Sequence, residues 1–182
     1  MSDSNTAADV EQITVRQALP RDVRAIADLT APLAQQRVLV KKRLIEYFED
    51  VQEFLVAENS DGDIVGCGAL HVMWDDIAEV RTLAVSPSIR ARGVGSRILR
   101  GLISRARQME LARLFCLTFE VDFFARHGFR EISGTPVGID VYARMLATRD
   151  EGVREFLDLA AVKPNTLGNT RMLLEIELID EA

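Results

Sequence analysis

The chain has 182 residues, of which 48% are hydrophobic and 27% charged, a composition typical of a folded globular domain. A net charge of -6 argues against nucleic acid as the main partner, and no apolar run approaches the roughly 20 residues of a membrane-spanning helix. Two cysteines and two histidines, without ligand-like spacing, argue against a metal site.

The N-terminal segment is polar and acidic and lacks the basic and apolar regions of a signal peptide. We therefore predict a disordered tail over residues 1–12, a single domain over residues 13–182, and a cytoplasmic protein. The two cysteines, Cys67 and Cys116, lie in apolar surroundings and are predicted to be buried free thiols.

The first half of the chain predicts an alternation of strands and helices. Hydrophobic patterns predict strands over residues 13–19, 53–58, 64–73 and 78–85. A helix is predicted to open at Pro20 and to be interrupted at Pro32, and a second helix is predicted over residues 40–50. The turn residues at 59–63, Asn-Ser-Asp-Gly-Asp, predict a β-hairpin.

A short basic loop with two glycines, Gly93 and Gly95, separates the strand at 78–85 from an amphipathic helix predicted at 94–109. A helix N-terminus presents free backbone N–H groups that suit a phosphate, and glycines let the main chain come close to it. Six arginines crowd the loop and its helix: Arg90, Arg92, Arg97, Arg100, Arg105 and Arg107. This local positive charge suits a small anionic ligand, and the alternative is a solvated helix face.

The second half continues the pattern more weakly. Strands are predicted over 113–119, 129–132 and 171–178, helices over 121–126 and 139–147, and a loop over 163–169. Residues 154–159 fit either a helix or a strand. The order of the elements predicts an α/β domain with a mixed sheet.

Three features in this order resemble the GNAT acyltransferase superfamily. The segment Arg90-x-x-Gly93-x-Gly95 matches the pyrophosphate-binding signature R/Q-x-x-G-x-G/A, the strand at 79–85 precedes it, and FFARHGF at 123–129 resembles the closing helix and its Gly-Phe turn. The resemblance implies a mixed, mostly antiparallel central sheet flanked by helices. Further segments are VQEF at 51–54, VGCGALH at 65–71, LTFE at 117–120, KPN at 163–165 and GNTRMLL at 168–174. Together with FFARHGF they make the chain, from residue 13 to 178, similar to one branch, the amino-acid N-acetyltransferases called N-acetylglutamate synthases, in their short stand-alone form.

The resemblance implies acetyl-CoA as cosubstrate and assigns residues to it. The strand residues Leu83, Ala84 and Val85 would pair with the pantetheine arm, and one N–H there would polarise the thioester carbonyl. The cofactor-binding loop would comprise Arg90, Ala91, Arg92, Gly93, Val94, Gly95 and Ser96.

Phe124 is a departure from the family pattern, since it takes the position of a tyrosine that protonates the leaving thiolate in many members. The side chain is counted here among the cofactor-binding residues, and the identity of the general acid stays open. Thr118, Tyr142 and water are the alternatives, and a thiol pKa of about 8.5 means that no dedicated acid is required.

Glu79 lies at the strand position that supplies the general base in several family members. The alternative is a structural carboxylate paired with Arg81. A covalent route through Cys67 or Cys116 is the less favoured chemistry, because neither has a histidine at a recognisable spacing. Substrate-binding candidates are Lys42, Arg43, Arg81, Lys163 and Asn165.

By resemblance, the chain is expected to acetylate the α-amine of L-glutamate or L-glutamine, the first step of arginine biosynthesis. The expected partners are acetyl-CoA and a small acidic or amide amino acid, with no metal, nucleic acid or membrane, and a homodimer is expected from the family. Two alternatives are a GNAT enzyme for another amine (a peptide, a polyamine or a drug) and a non-catalytic acyl-CoA-binding sensor. Arginine feedback is not determined by the sequence.

Overall fold

The computed structural model describes residues 12–39, 41–89, 92–157 and 168–177. Contacts divide the chain into two units. The first contains the described residues up to Cys116 and from Glu175 onward, and the second is Leu117–Leu174. In the described ranges no helix combines the length and the apolar character that crossing a bilayer requires.

The first unit holds most of the regular structure. Its strands are β1 Thr14–Gln17, β2 Phe54–Glu58, β3 Ile64–Val72, β4 Ile77–Val85 and the first part of β5 Arg113–Thr118. Its helices are α1 Val23–Gln35, α2 Leu44–Glu49 and α3 Val94–Gln108, and its 3₁₀ turns are Pro20–Asp22, Val51–Glu53 and Pro87–Ile89.

The sheet of this unit is mixed and mostly antiparallel, as predicted. Strands β1, β2, β3 and β4 pair in sequence order and antiparallel, whereas β4 and β5 pair in parallel. The predicted hairpin between β2 and β3 is confirmed, and Asn59 explains it: its Oδ1 accepts the backbone N–H groups of Asp61 and Asp63 at 3.0 and 2.8 Å.

Helix α3 packs closely on β3 because two strand residues are glycine. A Cβ on Gly66 would lie 2.8 Å from Cδ1 of Ile98, and one on Gly68 would lie 2.9 Å from Cγ2 of the same residue. The sequence predicted only that these glycines weaken the strand, whereas they permit the close approach of the helix. The opposite face of the sheet carries a second apolar cluster that includes Ile26, Phe54 and Cys67.

The second unit contains helices α4 Val121–Ala125, α5 Ile139–Met145 and α6 Glu151–Phe156 and the antiparallel strands β6 Arg130–Glu131 and β7 Thr170–Glu175, the last residue of which belongs to the first unit. Arg171 stabilises it by donating to the carbonyl oxygens of Phe156 at 2.5 Å and Gly134 at 3.0 Å. A guanidinium at the end of α6 also complements the negative end of the helix dipole.

Several predicted boundaries need correction. The interruption at Pro32 is wrong, because α1 continues to Gln35 and the Pro32 carbonyl still accepts the N–H of Gln36 at 3.1 Å. Helix α2 begins at Leu44 and not near 40, since Arg43 has an extended backbone with ψ of 154°. Of the two alternatives for residues 154–159, the described part, through Phe156, is helical.

Some of the predictions concern residues that the structure does not describe. Residues 1–11, Val40, Arg90, Ala91, residues 158–167 (with Lys163 and Asn165) and Leu178 lie outside the described residues. The single domain over 13–182 and the tail before it stay predictions.

Candidate active site

The C-terminal half of β4 carries an irregularity next to the glycine loop. Cys67 pairs with Ala84 and Ala69 pairs with Arg81, so two residues of β4, Thr82 and Leu83, oppose the one residue Gly68 between them. Thr82 has a φ of +56°, in the left-handed region that non-glycine residues rarely adopt. This is a β-bulge, a feature that bends a strand and is frequent beside active sites.

Strand β4 has different partners along its length. Its parallel pairing with β5 runs from Ile77 opposite Arg113 to Glu79 opposite Phe115. Its pairing with β3 continues to Val85, opposite Gly66. Within the described strands, the β5 side of β4 therefore has no register partner beyond Glu79. The placement of a pantetheine arm at Leu83, Ala84 and Val85 stays a prediction.

The loop after β4 delivers the chain to the start of α3. The Ser86 N–H donates to the Val65 carbonyl at 2.8 Å, and the 3₁₀ turn Pro87–Ile89 follows. Gly93 precedes the helix with a φ of +77°, and a Cβ there would have no neighbour within 4 Å. The loop thus has an open, left-handed position at the point where a phosphate would approach.

The first turn of α3 has the properties of an anion site. The Arg97 N–H donates to the Gly93 carbonyl at 3.0 Å, so the N–H groups of Val94, Gly95 and Ser96 precede the first intrahelical bond. The helix has 15 residues and no acidic side chain in its first turn. Its dipole therefore adds positive potential where these N–H groups lie.

Glu79 is buried, with 5% of its surface exposed. Its Oε2 accepts Nη2 of Arg81 at 2.8 Å and Nε at 3.0 Å. Among the described residues, no donor is bonded to Oε1. The ion pair with Arg81, which the sequence analysis gave as the structural alternative for Glu79, is therefore present. It still leaves Oε1 to act as an acceptor.

A second polar pair lies beside Glu79, which the sequence analysis did not identify. His71 is directly opposite Glu79 in the β3–β4 register, and its Nδ1 lies 2.6 Å from Oε1 of Glu53. His71, Glu79 and Glu53 are far apart in sequence, so their proximity could have been inferred only from the strand register.

The cysteines are inert thiols. Burial raises the pKa of Cys67 to about 12, and burial together with the nearby charge of Glu79 raises the pKa of Cys116 well above its usual value. Because the thiolate is the nucleophile, a covalent route through either residue is disfavoured.

The predicted substrate cations Lys42 and Arg43 already face carboxylates. Lys42 Nζ lies 2.6 Å from Oδ2 of Asp50, and its side chain is largely buried. The side chain of Arg43, by contrast, is 80% exposed and is paired with the carboxylate of Glu46, with Nε 3.3 Å from Oε2.

In the second unit, the Thr118 hydroxyl is buried and its oxygen accepts the Glu120 N–H at 2.9 Å. Phe124 is buried against the edges of Phe123 and Phe129, with ring centroids 5.2 and 5.1 Å away. The hydroxyl of Thr118 can still donate its proton, whereas Phe124 has none to give. In the parts of the chain that the structure describes, no cluster of His, Cys, Asp or Glu could hold a metal ion.

Comparison with known proteins gives consistent matches. Residues 22–129 match the model of the Acetyltransferase (GNAT) family. An amino-acid acetyltransferase from Mycobacterium tuberculosis is 52% identical over 162 residues, which cover 88% of this chain and 92% of that protein.

Two solved structures are also similar. The crystal structure of Rv2747 from Mycobacterium tuberculosis in complex with CoA and NLQ is 51% identical, with a TM-score of 0.86 and coverage of 90% of this chain and 99% of that one. N-acetylglutamate synthase from Neisseria gonorrhoeae complexed with coenzyme A and N-acetyl-glutamate is 28% identical, with a TM-score of 0.71. That match covers 91% of this chain and 35% of the longer synthase.

Proposed function

The chain belongs to the GNAT acetyltransferase family, whose cosubstrate is acetyl-CoA, and we propose that it acetylates the α-amine of L-glutamate or L-glutamine in arginine biosynthesis. The observation that carries the proposal is its 52% identity, over nearly the full length of both chains, to an amino-acid acetyltransferase. The neighbouring synthase structure, with N-acetyl-glutamate bound, supports the choice of substrate class.

The proposed mechanism is direct attack. The N–H groups at the start of α3 hold the diphosphate of acetyl-CoA, and Leu83, Ala84 and Val85 accompany the pantetheine arm. Oε1 of Glu79 accepts a proton from the substrate ammonium, which gives the amine nitrogen a lone pair. That nitrogen then forms a bond to the thioester carbonyl carbon.

The resulting tetrahedral intermediate carries its negative charge on the former carbonyl oxygen. A backbone N–H of the opened stretch of β4 stabilises this charge, and one such donor typically contributes about 3 kcal/mol. The C–S bond then breaks, and the sulfur takes the second proton of the amine. Thr118 orients the sulfur or the substrate, and a thiolate with a conjugate-acid pKa near 8.5 leaves without the tyrosine that Phe124 replaces.

Cationic side chains bind the substrate carboxylates in this proposal. Arg43 is the most accessible of the described candidates, and a substrate carboxylate would compete with Asp50 for Lys42. Arg81 holds Glu79 and adds positive charge beside the reacting amine. Lys163 and Asn165 are the remaining candidates.

A panel of free amino acids, a peptide and a polyamine, each with acetyl-CoA, tests the proposal. Mass spectrometry of the product and release of the coenzyme A thiol are the two measurements. We expect L-glutamate or L-glutamine to be acetylated on its α-nitrogen faster than any other acceptor. Turnover of neither would reject the assignment, and turnover of the peptide or polyamine alone would identify another amine as substrate.

A further inference from the structure

We propose that His71, positioned by Glu53, relays the proton from Glu79 to solvent after each turnover. The inference rests on the proposed function, because it requires Glu79 to act as the base. It assigns a role to two side chains that the mechanism above does not use.

The stoichiometry of the reaction requires a path for one proton. An ammonium and an acetyl thioester give an N-acetyl amide, a free thiol and one H⁺. One amine proton ends on the sulfur, and the other stays on Glu79 when the products leave. The base must lose that proton to water before it can serve the next substrate.

Glu79 is poorly placed to lose it directly. Its side chain is only 7% exposed, and the guanidinium on its Oε2 belongs to Arg81, which is 9% exposed and holds its own protons. The side chains of His71 and Glu53 are 19% and 23% exposed. Exposure therefore increases in order from the base, through the imidazole, to the second carboxylate.

The strand register places the imidazole on the same face of the sheet as the base, one strand away. His71 and Glu79 are directly opposite on neighbouring antiparallel strands, so their side chains project on the same face with Cβ atoms about 5 Å apart. Both side chains are long enough to meet across that distance. Arg81, two residues further along β4, is on the same face.

The contact with Glu53 sets the tautomer that a relay needs. Nδ1 of His71 lies 2.6 Å from Oε1 of Glu53, so the ring N–H donates to the carboxylate and Nε2 carries the lone pair. Nε2 accepts the proton from Glu79, and Glu53 stabilises the imidazolium that forms. Nε2 then releases a proton to water, and the neutral ring is restored.

The second oxygen of Glu53 also indicates a functional rather than a stabilising pair. Oε2 is buried and has no hydrogen-bond partner among the described residues. A partly buried carboxylate with an unsatisfied oxygen is costly, and an apolar pair would pack there at lower cost. A positive charge that appears on His71 in every cycle gives this negative charge a counterpart.

The test separates the transfer step from the return of the base. In His71→Ala and Glu53→Gln, the acetyl-transfer rate constant of a single turnover, with enzyme in excess over acetyl-CoA, should stay within about twofold of wild type. The multiple-turnover kcat should fall about tenfold. Added imidazole should restore kcat in His71→Ala and leave wild-type kcat unchanged. Glu53→Gln keeps the shape of the side chain, so it decides the matter if His71→Ala does not fold.

His127→Ala is the matched control, because this second histidine bonds a backbone carbonyl, that of Phe123 at 2.8 Å, and is assigned no part in the reaction. Its kcat should equal that of wild type, with or without imidazole. Wild-type kcat in the His71 and Glu53 variants would overturn the relay, as would a loss that also appears in the single turnover. A loss in His71→Ala that imidazole does not reverse would overturn it too. The comparison uses whichever amine the wild type acetylates, so a different substrate would refute the proposed function without deciding the relay. Acetylation of no amine would refute both.

Discussion

The two oxygens of the Glu79 carboxylate have different surroundings. Oε2 is held by the planar guanidinium of Arg81, which fixes the orientation of the side chain, and Oε1 is the oxygen that accepts the proton in the proposed mechanism. Lysine at position 81 would supply the charge without the two-pronged geometry. In the proposed mechanism, the ion pair with Arg81 therefore helps to position the base.

Because the thiol of Cys67 is buried, the stability of the folded chain should decrease at alkaline pH. The ordinary thiol pKa is 9.0, and burial raises that of Cys67 to about 12 in the folded chain. Between these values the unfolded chain binds fewer protons, so stability is full below pH 9 and decreases as the pH rises toward 12. One such group contributes a slope of about 1.4 kcal/mol per pH unit.

Urea unfolding at pH 8, 9 and 10 measures this effect. Cys67→Ala should lower stability by a constant amount, because it leaves a small cavity, and should reduce the alkaline slope relative to wild type. Identical slopes in the two proteins would show that this thiol ionises in the folded state as it does in the unfolded one.

The sequence indicates some of the candidate site residues and not others. Glu79 and the loop glycines could be proposed as site residues from the sequence because they belong to one contiguous motif. His71 and Glu53 were not, since they meet only when β3 and the turn before β2 are packed together. The pairing of Lys42 with Asp50 was likewise missed, because a run of basic residues in a sequence does not reveal which acid will face it.

At the level of elements, the junction of β4 with α3 determines the geometry of the candidate site. The bulge at Thr82 bends the strand, and Gly93 turns the chain so that the helix presents its first N–H groups. Both positions have positive φ, and only the second carries the residue that adopts it readily.

Gly93→Ala tests the loop conformation. The new Cβ meets no atom within 4 Å, so the cost is backbone strain of about 1–2 kcal/mol, which the loop would relieve by moving away from the phosphate-binding shape. We expect acetyl-CoA affinity, measured by calorimetry, to weaken about tenfold. Gly134→Ala is the matched control, with a φ of +74° and equally open surroundings in the second unit.

The control should lose stability without losing acetyl-CoA affinity. Unchanged affinity in Gly93→Ala would mean that the loop does not need the left-handed conformation to bind. A similar loss in both variants would show that the effect is not local.

Most elements of the first unit follow from the sequence, for physical reasons. Alternating apolar residues and the turn Asn-Ser-Asp-Gly-Asp at 59–63 determine β2 and β3, and the 3.6-residue period determines α3. The errors arise where tertiary contacts override local preference. Helix α1 continues through Pro32 because one of its faces is buried, at Val23, Ile26 and Thr30. Strand β3 tolerates two glycines because the side chain of Ile98 occupies the space that their Cβ atoms would take.

For the molecule as a whole, the order of motifs predicts the family better than any single motif. The strand, the glycine loop and the later helix with its Gly-Phe turn predicted a GNAT fold, which the family match over residues 22–129 confirms. The substrate has weaker support in the sequence, since it depends on side chains brought in from several loops. The homodimer and arginine feedback depend on surfaces beyond these motifs, and the homodimer stays a prediction.

The charge of the molecule is also unevenly arranged. The chain carries a net charge of -6, whereas α3 has arginines but no acidic residue in its first turn. An acidic protein with a basic anion site favours a small, highly charged ligand over a polyanion, because a long polyanion would also meet the acidic surface. This agrees with acetyl-CoA as the ligand.

Acetyl-CoA binding and acetyl transfer, measured side by side in wild type and Glu79→Gln, separate an enzyme from a sensor. We expect both proteins to bind acetyl-CoA with equal affinity, because the loop and helix are unchanged, and the variant to transfer acetyl to the amino acid at least about 100-fold more slowly. Failure of the wild type to bind acetyl-CoA at millimolar concentration, or transfer by Glu79→Gln at the wild-type rate, would contradict the mechanism proposed for this site.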